Sequence, residues 1–500
     1  MDPEEATIAP DSEILRYRNH FSALVQSTLS TVLVIAIIFL TTYVTSPNKE
    51  NWWELNQWLW IIIFFLLATV FVSIRIWMRT TYEFGPTELI VNKDTFFKNK
   101  TRIQYSKMAT INVRRNIINH IFGTTTLMFN VNSSVNSMSA EASITLISDE
   151  ADRLREIVSS RIFNKEMEVE ADHEEKTLVN VSNFDVILHG FFGQPTASSA
   201  LGLVFLAYSI IGTFFTGSGG LLGFLMFGIT SVIPWVRTIL RYYNYRIYRV
   251  EDTIVVESGL ISNYRSSFKI NKVNCVRIRE PLFARLMGRS LLEAEVVGLA
   301  DSEGLPLLCP LKNKRIVDEL AQQLVQEFLF ETSHNVQPRK SLFPTLFIRI
   351  VLALIAVAAG ISVYLYAQEY MDPWSPLTVH LFNAVIVAIT VAAPILLIIH
   401  GFLAQRYREF EKGEETFMFV TGAYDRQREF MRYDKVQFCT VLSGPVQRRF
   451  GVARCKVHLM SSRGARAVQS GLFDRQELES ISEEVMARIR DGRYDYRRYI

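Results

Sequence analysis

Three stretches of this chain share one frame: Lys107-MATINVRRNIINHIF-Gly123, Lys272-VNCVRIREPLFARLM-Gly288 and Lys435-VQFCTVLSGPVQRRF-Gly451. In each, a Lys stands sixteen residues ahead of a Gly that follows a bulky apolar residue. The lysines are 165 and then 163 residues apart. Each copy follows a long apolar hairpin. Repetition at a fixed period marks an array of one structural unit and decides the architecture before any local reading does. Here the unit is a membrane hairpin plus a small domain, used three times.

The 500-residue length carries a prior of about three domains, in agreement with the repeat. Hydrophobic residues make up 49% and charged residues 21%, with the apolar excess gathered in blocks. A net charge of +3 is too small to imply a nucleic-acid partner. Its distribution says more: residues 404–500 hold 19 Lys/Arg against 14 Asp/Glu, so the last module is the basic one. Cys275, Cys309, Cys439 and Cys455 form no CxxC pair and no zinc-like spacing, which predicts reduced thiols. The first 20 residues are polar and acidic, without the pattern of a cleavable signal.

Six segments are long enough to cross a bilayer, near 22–44, 58–78, 198–216, 221–240, 343–367 and 377–402. The short outer loops carry one cation, Lys49. The opposite ends are basic, at Arg16, Arg18, Arg75, Arg79, Arg237, Arg241, Arg339, Lys340, Arg406 and Arg408. The positive-inside rule then places both termini and all three modules in the cytoplasm. Trp52, Trp53, Trp58, Trp60 and Trp374 fall by the outer boundaries as an aromatic belt. Intramembrane polar residues are sparse. Arg349, about two turns into the fifth span, reads as snorkelling to the inner face, and no span holds an acidic residue to relay a proton. Gly228 and Pro234 suggest close packing or a kink.

Each module opens with a Tyr/Arg-rich exit from the membrane and continues in short alternating runs, read as antiparallel strands. In the second copy these are 253–257, 264–270, 273–278 and 291–296, and in the third 417–420, 428–431, 436–441 and 455–459. An amphipathic helix closes each copy, with Leu154, Ile157, Val158 and Ile162 on one face in the first. Its counterparts are Ile316, Val317, Leu320, Leu324 and Phe328, then Leu478, Ile481, Val485 and Ile489, the last opened by Asp474 and Glu477 at capping-box spacing. A strand meander ending in a helix that plugs a small antiparallel barrel is a sufficient core for such a module.

This arrangement resembles a pleckstrin-homology (PH) fold, and its details are similar to the bacterial PH-domain membrane proteins of the YdbS/YdbT type in their long, three-module form. The residues that carry the resemblance are the turn glycines Gly259 and Gly422 and the step into the next strand, Lys107-Met108, Lys272-Val273 and Lys435-Val436. The closing Arg285-Leu-Met-Gly288 and Arg448-Arg-Phe-Gly451 complete it. The first module departs: Asp94 replaces the turn glycine, and no Arg stands three before Gly123. The resemblance implies a multi-pass membrane protein with PH-like α+β domains, and PH-like domains elsewhere bind lipid headgroups, peptides or partner domains.

The candidate contacts to an anionic inner leaflet or a partner are Arg426, Arg428, Arg432, Lys435, Arg448, Arg449, Arg454 and Lys456 in the third module, with Lys272 and Lys107 as repeat equivalents. The repeated glycines read as positive-φ turn positions. The acidic run 166–175 reads as a solvated linker, and Phe184, Ile187, Leu188 and Phe191 as one face of an interfacial helix. No nucleotide, zinc-hydrolase or nucleophile-elbow motif occurs, and the eight His make no ligand spacing, so no catalytic residue, metal or cofactor is expected.

The domains expected are an N-terminal tail 1–21, hairpins at 22–78, 198–240 and 343–402, PH-like domains at 79–165, 241–332 and 403–491, linkers at 166–197 and 333–342, and a tail 492–500. The function read from this is a non-enzymatic scaffold of the bacterial inner membrane. Its partners would be anionic lipid, a companion membrane protein or another copy. The alternative is a component of a transport or export system.

Overall fold

The protein is described by a computed structural model over residues 14–29, 32, 52–95, 98–131, 142–163, 181–216, 220–250, 252–260, 263–296, 306–369, 376–459 and 466–493. The first module comprises β1 (Leu15–Tyr17), the apolar helix α1 (Trp52–Met78), β2 (Thr80–Phe84), β3 (Glu88–Asp94), β4 (Lys98–Gln104) and β5 (Met108–Arg115), then α2 (Ile117–Phe122), β6 (Thr124–Val131), β7 (Ala142–Ile147) and α3 (Ser148–Phe163). A connecting helix α4 (Asn183–Phe192) leads into the second hairpin, α5 (Thr196–Thr216), α6 (Gly220–Phe227) and α7 (Ile233–Tyr242). The second module follows as β8 (Arg246–Val250), β9 (Thr253–Ser258), β10 (Asn263–Lys269), β11 (Val273–Glu280), α8 (Leu282–Leu286), β12 (Arg289–Val296), β13 (Leu307–Asn313) and α9 (Lys314–Val325). The third hairpin is α10 (Leu342–Glu369) and α11 (Pro376–Tyr407). Its module is β14 (Glu409–Lys412), β15 (Thr416–Thr421), β16 (Arg426–Arg432), β17 (Val436–Leu442), α12 (Pro445–Arg449), β18 (Val452–Leu459), β19 (Arg466–Gln469), β20 (Phe473–Asp474) and α13 (Arg475–Arg490).

The expected barrels are not closed among the described residues. Strands β1 to β4 form one antiparallel sheet, but β7-β6-β5 runs on into β10-β9-β8, and β13-β12-β11 runs on into β16-β15-β14. Only β17-β18-β19, with β20 beside β18, ends the series. Each module therefore splits, and the strand that follows the repeated lysine in one gives its outer edge to the strand that precedes the repeated lysine in the next. The two junctions share a register. Arg115 stands opposite Asn263 at the first, and Glu280 opposite Arg426 at the second, which are equivalent places in the repeat. An open strand edge leaves a row of backbone donors and acceptors unpaired, and this exchange satisfies them without closing a barrel.

The cores follow the sheets. Val276 and Ile278 of the second module pack in one cluster with Met418, Val420 and Phe430 of the third. Across the same seam the Arg277 and Glu429 side chains, both almost fully buried, meet at 2.5 Å. Burial opposes the charged form of Arg277, yet Glu429 and Glu293 hold its guanidinium above the ordinary value. Fused in this way, the three modules lie on one side of the bilayer, because an open sheet cannot pass through hydrocarbon.

Four described helical stretches are long and apolar enough to cross a membrane: Thr196–Thr213, Gly220–Tyr242, Arg339–Glu369 and Phe382–Tyr407. Only 6–11% of each apolar window is buried within the protein, so the exposed apolar remainder needs lipid around it. In the first hairpin α1 contributes the apolar stretch Ile63–Met78 and residues 21–29 are helical, while most of the expected span 22–44 lies outside the described residues. Trp374, the side chains of Trp52, Trp53, Trp58 and Trp60, and the acidic run 166–175 also lie outside them. The helices of the second hairpin approach through Gly202, where a Cβ would sit 1.8 Å from the Ser231 hydroxyl, and through Gly223. Gly228 is not a close-packing position, since a Cβ there meets nothing within 4 Å. It begins a π turn, Gly228–Val232, that leads into Pro234 at the start of α7, the local widening expected around a proline.

The repeat motif has a clear local meaning. Each lysine closes a one-turn 3-10 helix, Tyr105–Lys107, Ile270–Lys272 or Tyr433–Lys435. Each glycine takes positive φ, 62° at Gly123 and 65° at both Gly288 and Gly451, as expected of a turn glycine. Asp94 holds the turn of Gly259 and Gly422 without positive φ, its amide donating to the Arg79 carbonyl at 3.0 Å. Helix α4 buries Val186 in the second-module core and sets His189 and Gly190 against α7, a different face from the one expected to be interfacial. Leu188 joins a core cluster, and Phe184, Ile187 and Phe191 stay exposed.

Candidate functional site: an arginine cluster at the base of the third hairpin

The structure divides the predicted cations into three groups. The first is consumed inside the protein. Arg426 pairs with Glu409 at 2.8 Å, Arg428 with Asp318 at 2.8 Å and Arg432 with Asp434 at 2.9 Å. The density of cations did not disclose these pairings, which run from a neighbour two residues away, Asp434, to Asp318, 110 residues from Arg428.

The second group is the repeated lysines. Lys272 and Lys435 are brought close at the seam of the second and third modules. Burial first, then Lys435 and Lys269, lowers the Lys272 amine below its ordinary value. Burial also lowers Lys435, with Asp434 acting against it and Arg432 with it. Lys272 precedes β11, whose far end meets the foot of the second hairpin: the Leu282 amide donates to the Thr196 hydroxyl at 3.1 Å. Eight strand residues separate the two ends by roughly 25 Å, so these lysines lie away from the bilayer. The Lys107 side chain lies outside the described residues.

The third group lies at the base of the third hairpin. Helix α12 carries Arg448 and Arg449, both exposed, and its Phe450 stacks on Phe343 in the first turn of α10 at 5.3 Å. Beside them, Arg454 on β18 and Arg408 at the end of α11 converge with Arg349 of α10. Gly401 allows this approach, because a Cβ there would sit 2.9 Å from Arg349 Cδ. Burial first, then Arg349 and Arg454, pushes the Arg408 guanidinium down to about 10. Burial lowers Arg454 as well. Arg349 Nε donates to His400 Nδ1 at 3.1 Å, and His400 packs on Tyr424 with ring centroids 5.3 Å apart.

A buried polar clamp fixes this base. Gln337 Nε2 donates to the Ser341 and Thr345 hydroxyls at 2.9 Å each, and the Gln337 amide donates to the Arg408 carbonyl at 2.9 Å. Among the described residues no carboxylate pairs with Arg349, Arg408, Arg454, Arg448 or Arg449. Arg408 Nη1 and Arg454 Nε are buried without a hydrogen-bond partner. Unpaired guanidiniums held together at low dielectric repel and are costly. An oxyanion accepting their N–H groups would offset that cost, and the planar fork of Arg suits phosphate. Lys456, half-buried on the same strand as Arg454, stands opposite Thr440.

Two other groupings have internal explanations. His334, Glu409 and Glu411 come within metal-ligand reach of one another, a grouping the sequence spacing did not disclose. Glu409 is taken by Arg426, and Glu411 accepts from the Ser333 and Asn335 amides at 2.7 and 3.0 Å, so the trio fastens the 333–342 linker to β14. A cleft between the first two modules is lined by mixed charge that already pairs, Arg265 with Glu257 at 3.1 Å and Arg115 with Asp152 at 3.4 Å.

Comparison with known proteins meets this geometry. The family described as "Bacterial PH domain" matches residues 30–162, 197–324 and 346–491, one match for each hairpin and module. The chain belongs to the bacterial PH domain family. It is also similar to the UPF0699 transmembrane protein YdbT of Bacillus subtilis (strain 168), 22% identical over 384 residues, covering 70% of this chain and 75% of that protein. No solved structure matches. The resemblance read from the turn glycines and lysine steps is thus confirmed, and this bacterial PH domain protein is a membrane protein built from three family modules.

Proposed function

We propose that this protein is a non-enzymatic, six-span scaffold of the bacterial inner membrane. Its three PH-like domains form one cytoplasmic platform that grips anionic lipid headgroups at the base of the third hairpin. The observation that carries this reading is the Arg349–Arg408–Arg454 cluster, in which Arg408 Nη1 and Arg454 Nε are buried without a hydrogen-bond partner and, among the described residues, no carboxylate pairs with any of the three. The exposed Arg448 and Arg449 extend it toward the surface where anionic lipid collects. Cytoplasmic placement rests on the basic inner ends of the hairpins. Partner proteins would meet the platform from the side away from the bilayer.

Because β14 to β16 share a sheet with the second module, the test uses the full chain. Protein extracted in native lipid and exchanged into mild detergent should retain phosphatidylglycerol over phosphatidylcholine. Arg408→Gln with Arg454→Gln should cut that retention about tenfold, while Arg432→Gln leaves it unchanged. Excess inorganic phosphate distinguishes a headgroup site from a free-anion site by displacing the lipid only in the second case. Retention unaffected by the double substitution would contradict the proposal.

The transport reading has no such support. The spans hold no acidic residue within the apolar windows, and Arg349 is bonded to His400 and to the Thr345 carbonyl of its own helix. Arg349→Leu should therefore weaken lipid retention rather than abolish a flux.

A further inference from the structure

The chain uses one kind of strand junction twice, and it ends on both halves of a third. The outer edge of β5 takes β10, and the outer edge of β11 takes β16. By repeat position the next donor edge is β17, and the strand equivalent to β10 and β16 in the first module is β4. Among the described residues no strand pairs with the outer edge of either. We propose that β17 docks β4 of a second copy of this chain, so that copies join head to tail in the plane of the membrane.

Burial supports a missing neighbour. Cys275 of β11 is 1% exposed under its junction and the Arg279 side chain 16%, whereas their counterparts Phe438 and Leu442 are 50% and 45% exposed. Val436 to Leu442 also contains no charged residue. Natural edges are normally blunted by charge, because a bare edge invites another strand. The β4 edge is blunted, by Lys98, Lys100 and Arg102. Two β4 strands set side by side would oppose like charges, whereas the uncharged β17 accepts them.

Direction selects the partner. Strand β17 runs toward the membrane and ends at α12, whose Phe450 stacks on the foot of α10. Strand β4 runs away from the membrane: Lys98 pairs with Asp94, whose amide is bonded to Arg79 at the foot of α1. An antiparallel β17–β4 pair therefore keeps both copies upright in one bilayer. An antiparallel pair of two β17 strands, or of two β4 strands, would turn one copy upside down. The two internal junctions fix the register as well, placing Leu442 opposite Asn99 of the next copy and Phe438 opposite Ile103. Such an interface is heterologous, so repetition gives a ring or an open row. It is independent of lipid binding.

The test uses two differently tagged full-length chains in one membrane, Asn99→Cys in one and Leu442→Cys in the other. Both positions are exposed, so folding is not at stake. Opposed strand residues lie about 4.5–5.5 Å apart, within disulfide reach. Mild oxidation should join the two tags at least tenfold more than the off-register control of Gln104→Cys with Leu442→Cys. Equal yields from both pairs, or a disulfide mainly between two Leu442→Cys chains, would overturn the proposal. The unsubstituted protein gives a second measurement: in polymer-bounded native lipid its protein mass should be a multiple of 57.4 kDa. Monomers alone would overturn it too.

Discussion

His189 shows how one buried side chain sets a pH limit. It is fully enclosed between α4 and the second module, its ring edge-on to Tyr242 at 5.4 Å. Burial first, then Arg279, pushes its pKa down to about 4, with Glu293 acting in the opposite sense. An unfolded His titrates near 6.5, so between those values the unfolded chain binds the extra proton. Stability is then complete above about pH 6.5 and falls toward pH 4, by about 3 kcal/mol. The thermal midpoint followed by tryptophan fluorescence should drop over that window and lose most of the drop in His189→Phe. An unchanged slope would show that the acid step lies elsewhere. Glycines permit a sharper comparison. Gly451→Ala meets no atom within 4 Å and costs only the left-handed backbone penalty, about 1–2 kcal/mol. Gly422→Ala would place its Cβ 1.6 Å from the Asp425 carbonyl oxygen and should destabilise more. These positions were legible because a left-handed turn leaves glycine in the sequence. The arginine cluster was legible only in part. Arg448, Arg449 and Arg454 stood out by density, but Arg349 read as snorkelling and Arg408 as one more basic flank, since only the packed hairpin brings them together.

At the scale of elements, strands were readable from alternation and pairing was not. The runs at 253–257, 264–270 and 273–278 fall within β9 to β11 with small shifts at the ends. Strands β8 (Arg246–Val250) and β14 (Glu409–Lys412) were missed just after the Tyr/Arg-rich membrane exits, because they are only five and four residues long and rich in charge. The closed barrel failed for a physical reason: alternation gives the face of a strand and says nothing of which neighbour its edge will find. The Arg277–Glu429 pair tests the seam that resulted. Glu429→Ala leaves a buried guanidinium short of its partner and should cost about 3–5 kcal/mol in global unfolding. Replacing both, with Arg277→Met and Glu429→Leu, should restore most of it, because similar apolar volume removes the stranded charge. A double variant as unstable as the single would show that the pair itself stabilises the seam.

For the whole molecule, shared sheets turn three tethered domains into one body, with the arginine cluster at the foot of the third hairpin and, among the described residues, no strand paired at the outer edge of β4 or β17. The repeat announced the modules, and the family matches over 30–162, 197–324 and 346–491 follow the same rhythm. The fusion could not be read from the repeat, because identical units are compatible with beads on a string. The most direct test is a cross-strand disulfide at each junction in the intact membrane protein, Arg114→Cys with Tyr264→Cys and Arg279→Cys with Gln427→Cys, which are opposed pairs. Mass spectrometry after mild oxidation should find both bonds within single chains, at yields well above pairs shifted by four residues. Independent modules would give no preference for the opposed pairs, and that result would contradict the fused platform.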